Sequence, residues 1–328
     1  MPTALAALLV AVSARTASHA EPVRIGLVLE QPLVGRADDP FQHSAYLGLA
    51  RAASTLHVQG KVVAPAPNES YVPGFSYLAR QGYDLSLGIG FDEIDDLARV
   101  AQRFPARKFA ILDAQYTDLP HALPNVEGTL FKTEQPAYLA GYLAARMEDL
   151  RPAPHVLSSV AGFGIPPVKA YVAGFRAGAK RADPKITVLN TYANDFVNPS
   201  KCEHAAVDQI ARGSGVVFDV AGACGIGALE TAKKHGVWGI GVDIDQSYLG
   251  RFILTSVIKR LDVAVYDFAS QLRAGEFRTG GDAEFDLRNH GVGLGRISPR
   301  VPARFRRELA RLDAEIVAGR IKVPSTIR

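Results

Sequence analysis

The segment "VVFDVAGACGIGALETAKKHGVWGIGVD", Val216 to Asp243, comes nearest to a known chemistry in residue type and spacing. An apolar strand runs into Gly222-x-x-Gly225-x-Gly227, a helical pattern follows, and a second strand ends at Asp243. That order imitates a dinucleotide fingerprint, whose glycines let a pyrophosphate approach a helix N-terminus. Two features oppose that reading. The motif lies past residue 220, not in the first βαβ unit, and no Tyr-x-x-x-Lys follows to supply a proton donor. The other reading is a tight strand-to-helix turn whose bare backbone faces a smaller ligand. Asp92, Glu93, Asp95 and Asp96 gather where a helix begins, and complementing the helix dipole accounts for them better than acid/base catalysis does. No G-x-S-x-G elbow, P-loop or H-E-x-x-H occurs, and the eight histidines show no metal-ligand spacing, His235 and His290 reading as surface turns. With no base placed beside a nucleophile, binding without catalysis, cofactor or metal is the economical reading.

A binding site needs polar groups at strand ends. Candidates are Asp38 to Gln42, Gly90-Phe91, Asp113, Gly162 to Pro166, Ala221 to Gly225 and Asp243 to Gln246. In "DDPFQHSAYLGL" a phenylalanine, Phe41, sits between an acidic pair and an amide, where a strand gives way through a loop to a helical pattern. A loop phenylalanine in that position calls for something to cover it.

The elements that would position these residues alternate. Strand-length apolar runs include "VRIGLVLE", "YDLSLGIG", "KFAILDA", "HVLSSVAG", "GVVFDVAG" and "FILTSV", about ten in all. Helical patterns such as "SAYLGLARAAST", "PAYLAGYLAARMED" and "PPVKAYVAGFRAGAKRA" lie between most of them. This alternation predicts βαβ units and parallel sheets, and the nearly unbroken Val, Ile, Leu and Ala of the strands predicts sheets covered on both faces. A chain of 328 residues, 48% hydrophobic, is large for one core, so two lobes are expected, divided near Phe131. Ligands of doubly wound sheets bind at the carboxyl ends of the strands, where the candidate residues fall.

The formal charge of +4, with both signs interspersed, does not favour nucleic acid. The basic stretch "RVPARFRRELARL", Arg300 to Leu312, reads as an amphipathic helix with a solvated face. At the N-terminus an apolar run from Ala4 to Val12 has the length of a signal-peptide core and is too short to span a bilayer. Ser18-His19-Ala20 supplies small residues for cleavage after Ala20, although a basic leader is missing and no lipobox cysteine follows. In an exported protein the two cysteines, Cys202 and Cys224, are either one disulfide or two buried thiols, and a zinc site is poorly supported.

Taken together, "DDPFQHSAYLGL", "YDLSLGIGF", "FPARKFAILDA", "NVEGTLFKTEQPAYLAGYLAA", "VAGFGIPPVKAYVAGFRAGAK", "VAGACGIGALETAKKHGVWGIGVDIDQ", "ILTSVIKRLD", "NHGVGL" and "AGRIKVP" resemble, in order, the basic membrane protein family. These are extracytoplasmic solute-binding proteins of ABC importers, similar to the purine nucleoside receptor. The resemblance covers about Arg24 to Pro324. It implies a type I periplasmic-binding fold, an α/β architecture of two Rossmann-like lobes with parallel sheets joined by three crossovers. Those are expected near Phe131-Lys132, Leu254-Thr255 and Asp286-Leu287. The implied division is a signal peptide at 1–20, an N-terminal lobe of 21–131 with 255–286, and a C-terminal lobe of 132–254 with 287–328.

It further implies that Phe41 stacks on a planar base, that Asp38 accepts from a base N–H, and that Gln42, standing for the family's Asn, makes a displaced amide contact. Pro40 and His43 also depart from the family's Ser and Gln, which leaves fine specificity open. Asp113 is assigned a polar contact, Asp243 the ribose diol, and Lys259 either ribose oxygens or a pair with Asp243. Phe196 would form a second aromatic wall, and Gly222 and Ala223 would offer backbone without bulk. Asp245 and Gln246 match the family and also suit a structural turn. The implied function is purine nucleoside binding by a monomer that delivers to ABC permease subunits. Alternatives are a free base or flavin as solute, a nicotinamide-dependent oxidoreductase, and a sensor subunit.

Overall fold

The computed structural model describes residues 22–29, 39–66, 69–152 and 155–327. The expected signal segment 1–20 and the candidate residue Asp38 lie outside them.

The first half builds one sheet. Strands β1 (Arg24–Val28), β2 (Gln59–Val63), β3 (Leu85–Ile89), β4 (Lys108–Leu112) and β5 (Val126–Phe131) alternate with helices α1 (Pro40–Leu56), α2 (Val72–Arg80) and α3 (Ile94–Arg103). The second half repeats the scheme with α4 (Glu134–Glu148), β6 (Val156–Ala161), α5 (Pro166–Ala182), β7 (Thr187–Tyr192) and α6 (Pro199–Ala211). It continues through β8 (Ser214–Val220), α7 (Gly225–Lys234), β9 (Trp238–Asp243) and β10 (Ile253–Lys259). Helix α8 (Leu261–Ala274) and β11 (Asp282–Phe285) return to the first lobe; β12 (Val292–Leu294) and α9 (Ala303–Val317) close the second.

The sheet orders are β11-β5-β4-β3-β1-β2 and β12-β10-β9-β8-β6-β7. All pairings are parallel except β10 with β12. Helices cover both faces, so β3, β6 and β8 are buried along their whole length, as their unbroken apolar runs require.

The chain passes between the lobes after Phe131, after Lys259, and between Phe285 and Val292. The second passage corrects the expected Leu254-Thr255. Strand β10 spans those residues and, past a register shift between Ile253 and Thr255, stays paired with β9 as far as Ile258 opposite Asp243. "ILTSVIK" is rich in β-branched residues and offers no turn there, so residues 255–259 belong to the second lobe. Helix α1 brings a second correction, because it begins at Pro40 rather than at the apolar pattern from Ser44. The Asp39 carboxylate accepts from the N–H groups of Phe41 and Gln42, and Pro40 occupies the first turn, where a missing N–H costs nothing. Phe41 is thus a helix residue, not a loop residue.

Cys202 in α6 and Cys224 in the turn before α7 form a disulfide, with Cα atoms 5.7 Å apart. Both lie within a buried cluster with Val160 of β6 and Val217 of β8.

Candidate functional site

The carboxyl ends of the two sheets face each other across a cleft of about 930 Å³, counted with its mouth open to solvent. Phe41, Gln42, Asp113, Phe196, Gly222, Asp243 and Lys259 all line it. Asp38 is not described; its neighbour Asp39, the cap of α1, lines the cleft instead.

Asp113 and Asp243 occupy matching places in the two lobes. Asp113 follows β4 and Asp243 ends β9, the fourth strand of each sheet counted from β2 and from β7. Both have left-handed backbone, φ 62° and 63°, a conformation that aspartate tolerates better than most residues. The lobes thereby aim two carboxylates at one space. Lys259 at the end of β10 reaches across and donates to Asp113 Oδ2 at 2.6 Å, both side chains almost fully buried. The Lys259 ammonium also stands 5.2 Å from the Phe41 ring centre and 5.1 Å from that of Tyr171. The alternative pairing of Lys259 with Asp243 does not occur. Asp243 Oδ1 instead accepts from the Tyr171 hydroxyl at 2.8 Å.

Burial dominates the site's electrostatics. It raises the Asp113 carboxyl, against the opposing pull of Lys259. It pushes Asp243 up to about 6, opposed by Lys259 and the Tyr171 bond and reinforced by Asp113 and Asp39. Tyr171 is raised well above its ordinary value by burial and by the neighbouring carboxylates. Beneath them Asp219 is fully buried; Oδ1 accepts from Ala221 N–H, Oδ2 has no partner among the described residues, and burial raises its carboxyl strongly. Gly225 has a reason here. A Cβ at that position would fall 1.6 Å from Asp219 Oδ1, so this glycine of the dinucleotide-like motif makes room for a carboxylate, not a pyrophosphate.

The aromatic residues also come from both lobes. Phe196 packs over Gly162, where a Cβ would fall 2.1 Å from its ring. Phe91 follows β3 in the first lobe, and its ring centre lies 6.3 Å from those of both Phe163 and Phe196 of the second; Phe163 and Phe196 are 5.3 Å apart. Five lining residues carry carboxylates, Asp39, Asp92, Glu93, Asp113 and Asp243, against one lysine, Lys259, among the described lining residues.

Tyr171 lines the cleft without having been a candidate from sequence, and Asp92 and Glu93 line it although the sequence suggests only a helix-dipole role for them. A tyrosine inside "PPVKAYVAGF" looks like helix core, and its signal was only the polar hydroxyl on a buried face. Asp92 and Glu93 do stand at a helix start, as read, and that start opens onto the cleft. Asp245 and Gln246 serve the turn after β9. Gln246 Oε1 accepts from Val242 N–H at 2.8 Å, and Asp245 Oδ1 accepts from Ser247 N–H at 3.1 Å. Away from the cleft, Asp149, His155 and Asp183 bring possible ligand atoms within 4.8 Å of one another, a grouping the histidine spacing did not reveal. Asp149 is held there by Arg146, and Asp183 by Lys185 N–H and His155.

Residues 26–326 match the family model for PnrA-like ABC transporter substrate-binding proteins. The chain is 30% identical over 312 residues to the CD4+ T-cell-stimulating antigen of Listeria monocytogenes, covering 88% of this chain and 85% of that one. It is 31% identical over 273 residues to the ABC transporter nucleoside-binding protein BmpA of Lactococcus lactis, covering 78% and 75% of the two chains. A solved ABC transporter solute-binding protein from Aeropyrum pernix superposes with a TM-score of 0.81 at 25% identity, covering 94% of each chain. One from Conexibacter woesei gives 0.72 at 24% identity, covering 93% of this chain and 100% of that one. The family is one of extracytoplasmic substrate-binding proteins rather than enzymes, and the relatives include proteins named as lipoproteins. The chain belongs to the PnrA-like ABC transporter substrate-binding family, which implies a small-molecule ligand and permease partners.

Proposed function

We propose that this member of the family binds a purine nucleoside between its lobes and passes it, as a monomer, to the permease of an importer. The observation that carries the reading is the pairing of aromatic faces with strand-end carboxylates in one cleft. Phe41 and Phe196, one from each lobe, offer rings to a planar base, and Asp243 offers a carboxylate to vicinal hydroxyls. The name of the Lactococcus lactis relative supports the same ligand class. Charge narrows it further. With five carboxylates against one lysine among the described lining residues, the cleft favours a ligand rich in N–H and O–H donors and disfavours a phosphate.

A thermal-shift panel on protein that has been unfolded and refolded to strip carried-over ligand tests the proposal. A ligand at about 100 times its Kd adds roughly 2.7 kcal/mol of stability. Guanosine, adenosine or inosine should raise the Tm, ribose should not, and the corresponding monophosphates should do so far less. A panel in which free bases, riboflavin or pentoses act and nucleosides do not discards the nucleoside assignment and names the replacement.

A further inference from the structure

The basic stretch of the sequence becomes a distinct surface in the fold. Helix α9 buries Phe305, Leu309, Leu312 and Ile316 against the second lobe, a 4-3-4 spacing that fixes which face looks outward. The exposed residues of α9 are Ala303, Arg304, Arg307, Ala310, Arg311, Ala314 and Val317. At 100° per residue Arg304, Arg307 and Arg311 form one stripe, with small apolar residues beside it and no acid among the exposed α9 positions. Glu308, Asp313 and Glu315 sit half-buried on the flanks, where Glu308 takes Arg146 and Tyr142 and Glu315 reaches Arg311 at 3.8 Å. Exposed Arg296 and Arg300 precede the stripe, and exposed Arg320 and Lys322 follow it.

The charge of the chain is concentrated here. Residues 296–322 hold eight Lys or Arg and three Asp or Glu, a formal +5, while the whole chain is +4. Everything else therefore sums to −1, and the cleft itself is acidic. Arg306 pins the segment down by donating to the carbonyls of Val301, Ile297 and Ser298, so the stripe is held on a fixed support. No α9 residue lines the cleft.

We infer that the outward face of α9 docks on an anionic lipid surface, its arginines contacting headgroup phosphates while the protein works beside the membrane that holds its permease. Charge complementarity carries the inference. Arginine forks pair with phosphate oxygens two at a time, and a row of them flanked by alanines offers low relief and no pocket, which suits a headgroup plane better than a shaped protein partner.

The test is co-sedimentation of the protein with phosphatidylcholine vesicles, with and without phosphatidylglycerol. Phosphatidylcholine alone controls for the apolar run Ala4 to Val12. Association should require phosphatidylglycerol, weaken as salt shortens the reach of charge, and fall on the order of a hundredfold in R304Q/R307Q/R311Q, at about 1 kcal/mol for each arginine. The triple variant should keep the wild-type Tm without any added solute, which shows that it folds. Absence of association with anionic vesicles overturns the inference, as does association that the triple variant retains. Arginine-dependent retention only on neutral bilayers carrying the transporter would assign the face to a protein partner and also overturn it.

Discussion

Asp243 is the residue on which the proposed chemistry turns. Its carboxylate accepts from both hydroxyls of a diol at full strength only when ionised, because protonation turns one oxygen into a donor, and burial has raised it to about 6. Nucleoside affinity should therefore be flat above neutrality and fall as the pH drops through about 6. The stability of the free protein runs the other way. A carboxyl raised on folding contributes stability that is fully present below its unfolded value of 3.8 and is lost as pH rises through about 6. Asp243→Asn keeps a side chain that tolerates φ 63° and removes the charge, so it should cost ribosides much more affinity than free bases and abolish the acid limb. Equal losses for both ligand types would remove the diol from Asp243. Tyr171→Phe deletes the one bond that Asp243 accepts from this hydroxyl, which favours the charged form, so the acid limb should move to higher pH. Titrating affinity by calorimetry reads both effects, and an unmoved limb would leave Tyr171 a purely structural role. Phe41→Ala should weaken binding by about 1–3 kcal/mol, the range for base–aromatic stacking, and unchanged affinity in a folded variant would take Phe41 out of the site. Phe41, Asp113 and Asp243 were legible because polar or aromatic residues at strand ends and helix starts are conspicuous against an apolar run. Tyr171 was not, because a partner 72 positions away in sequence is set by tertiary packing alone.

Among strands and helices, local composition sets the type of each element, while capping and pairing set where it starts and which sheet it joins. The strand–helix alternation made the parallel sheets visible, since each run carries its own composition. The start of α1 was misplaced because the apolar period begins only at Ser44, while the true start is written in Asp39 and Pro40, a capping signal inside the quoted motif. The second passage between lobes was misplaced for a different reason. Nothing in "ILTSVIK" says which sheet it joins, and only its register with β9 settles that. Strand ends and helix starts also need support from behind, and the disulfide provides it for the turn that carries Gly222. Cys202 and Cys224 close a loop with a sequence separation of 22 residues, so opening it should cost roughly 3 kcal/mol on the chain-entropy account. A Cys202→Ala/Cys224→Ala protein should unfold at correspondingly lower urea concentration. An unchanged midpoint would mean that neither the covalent link nor burial of the two sulfurs adds stability.

For the whole molecule, the proposed function has the lobes open, take a ligand and close. The contacts that span them divide by depth. Near the passage after β10, the buried Lys259–Asp113 pair joins β10 of one lobe to the end of β4 in the other. At the mouth, Phe91 of the first lobe meets Phe163 and Phe196 of the second, and Phe91 and Phe163 are partly exposed there, at 42% and 37%. Such rings touch only when the lobes are together, so the cluster stabilises the closed form and not the open one. Phe163 separates closure from ligand contact, because it does not line the cleft while Phe91 and Phe196 do. Phe163→Ala removes its pairing with Phe91 across the mouth, worth about 0.5–1.5 kcal/mol beyond area burial. Ligand release measured by stopped flow should then be faster by roughly 2- to 10-fold, with most of the change in the off-rate. The order of affinities among nucleosides should stay as in the parent, since no group facing the ligand has changed. An unaltered release rate would show that the mouth rings do not hold the lobes together, and a reordered ligand series would show that Phe163 reaches the ligand after all.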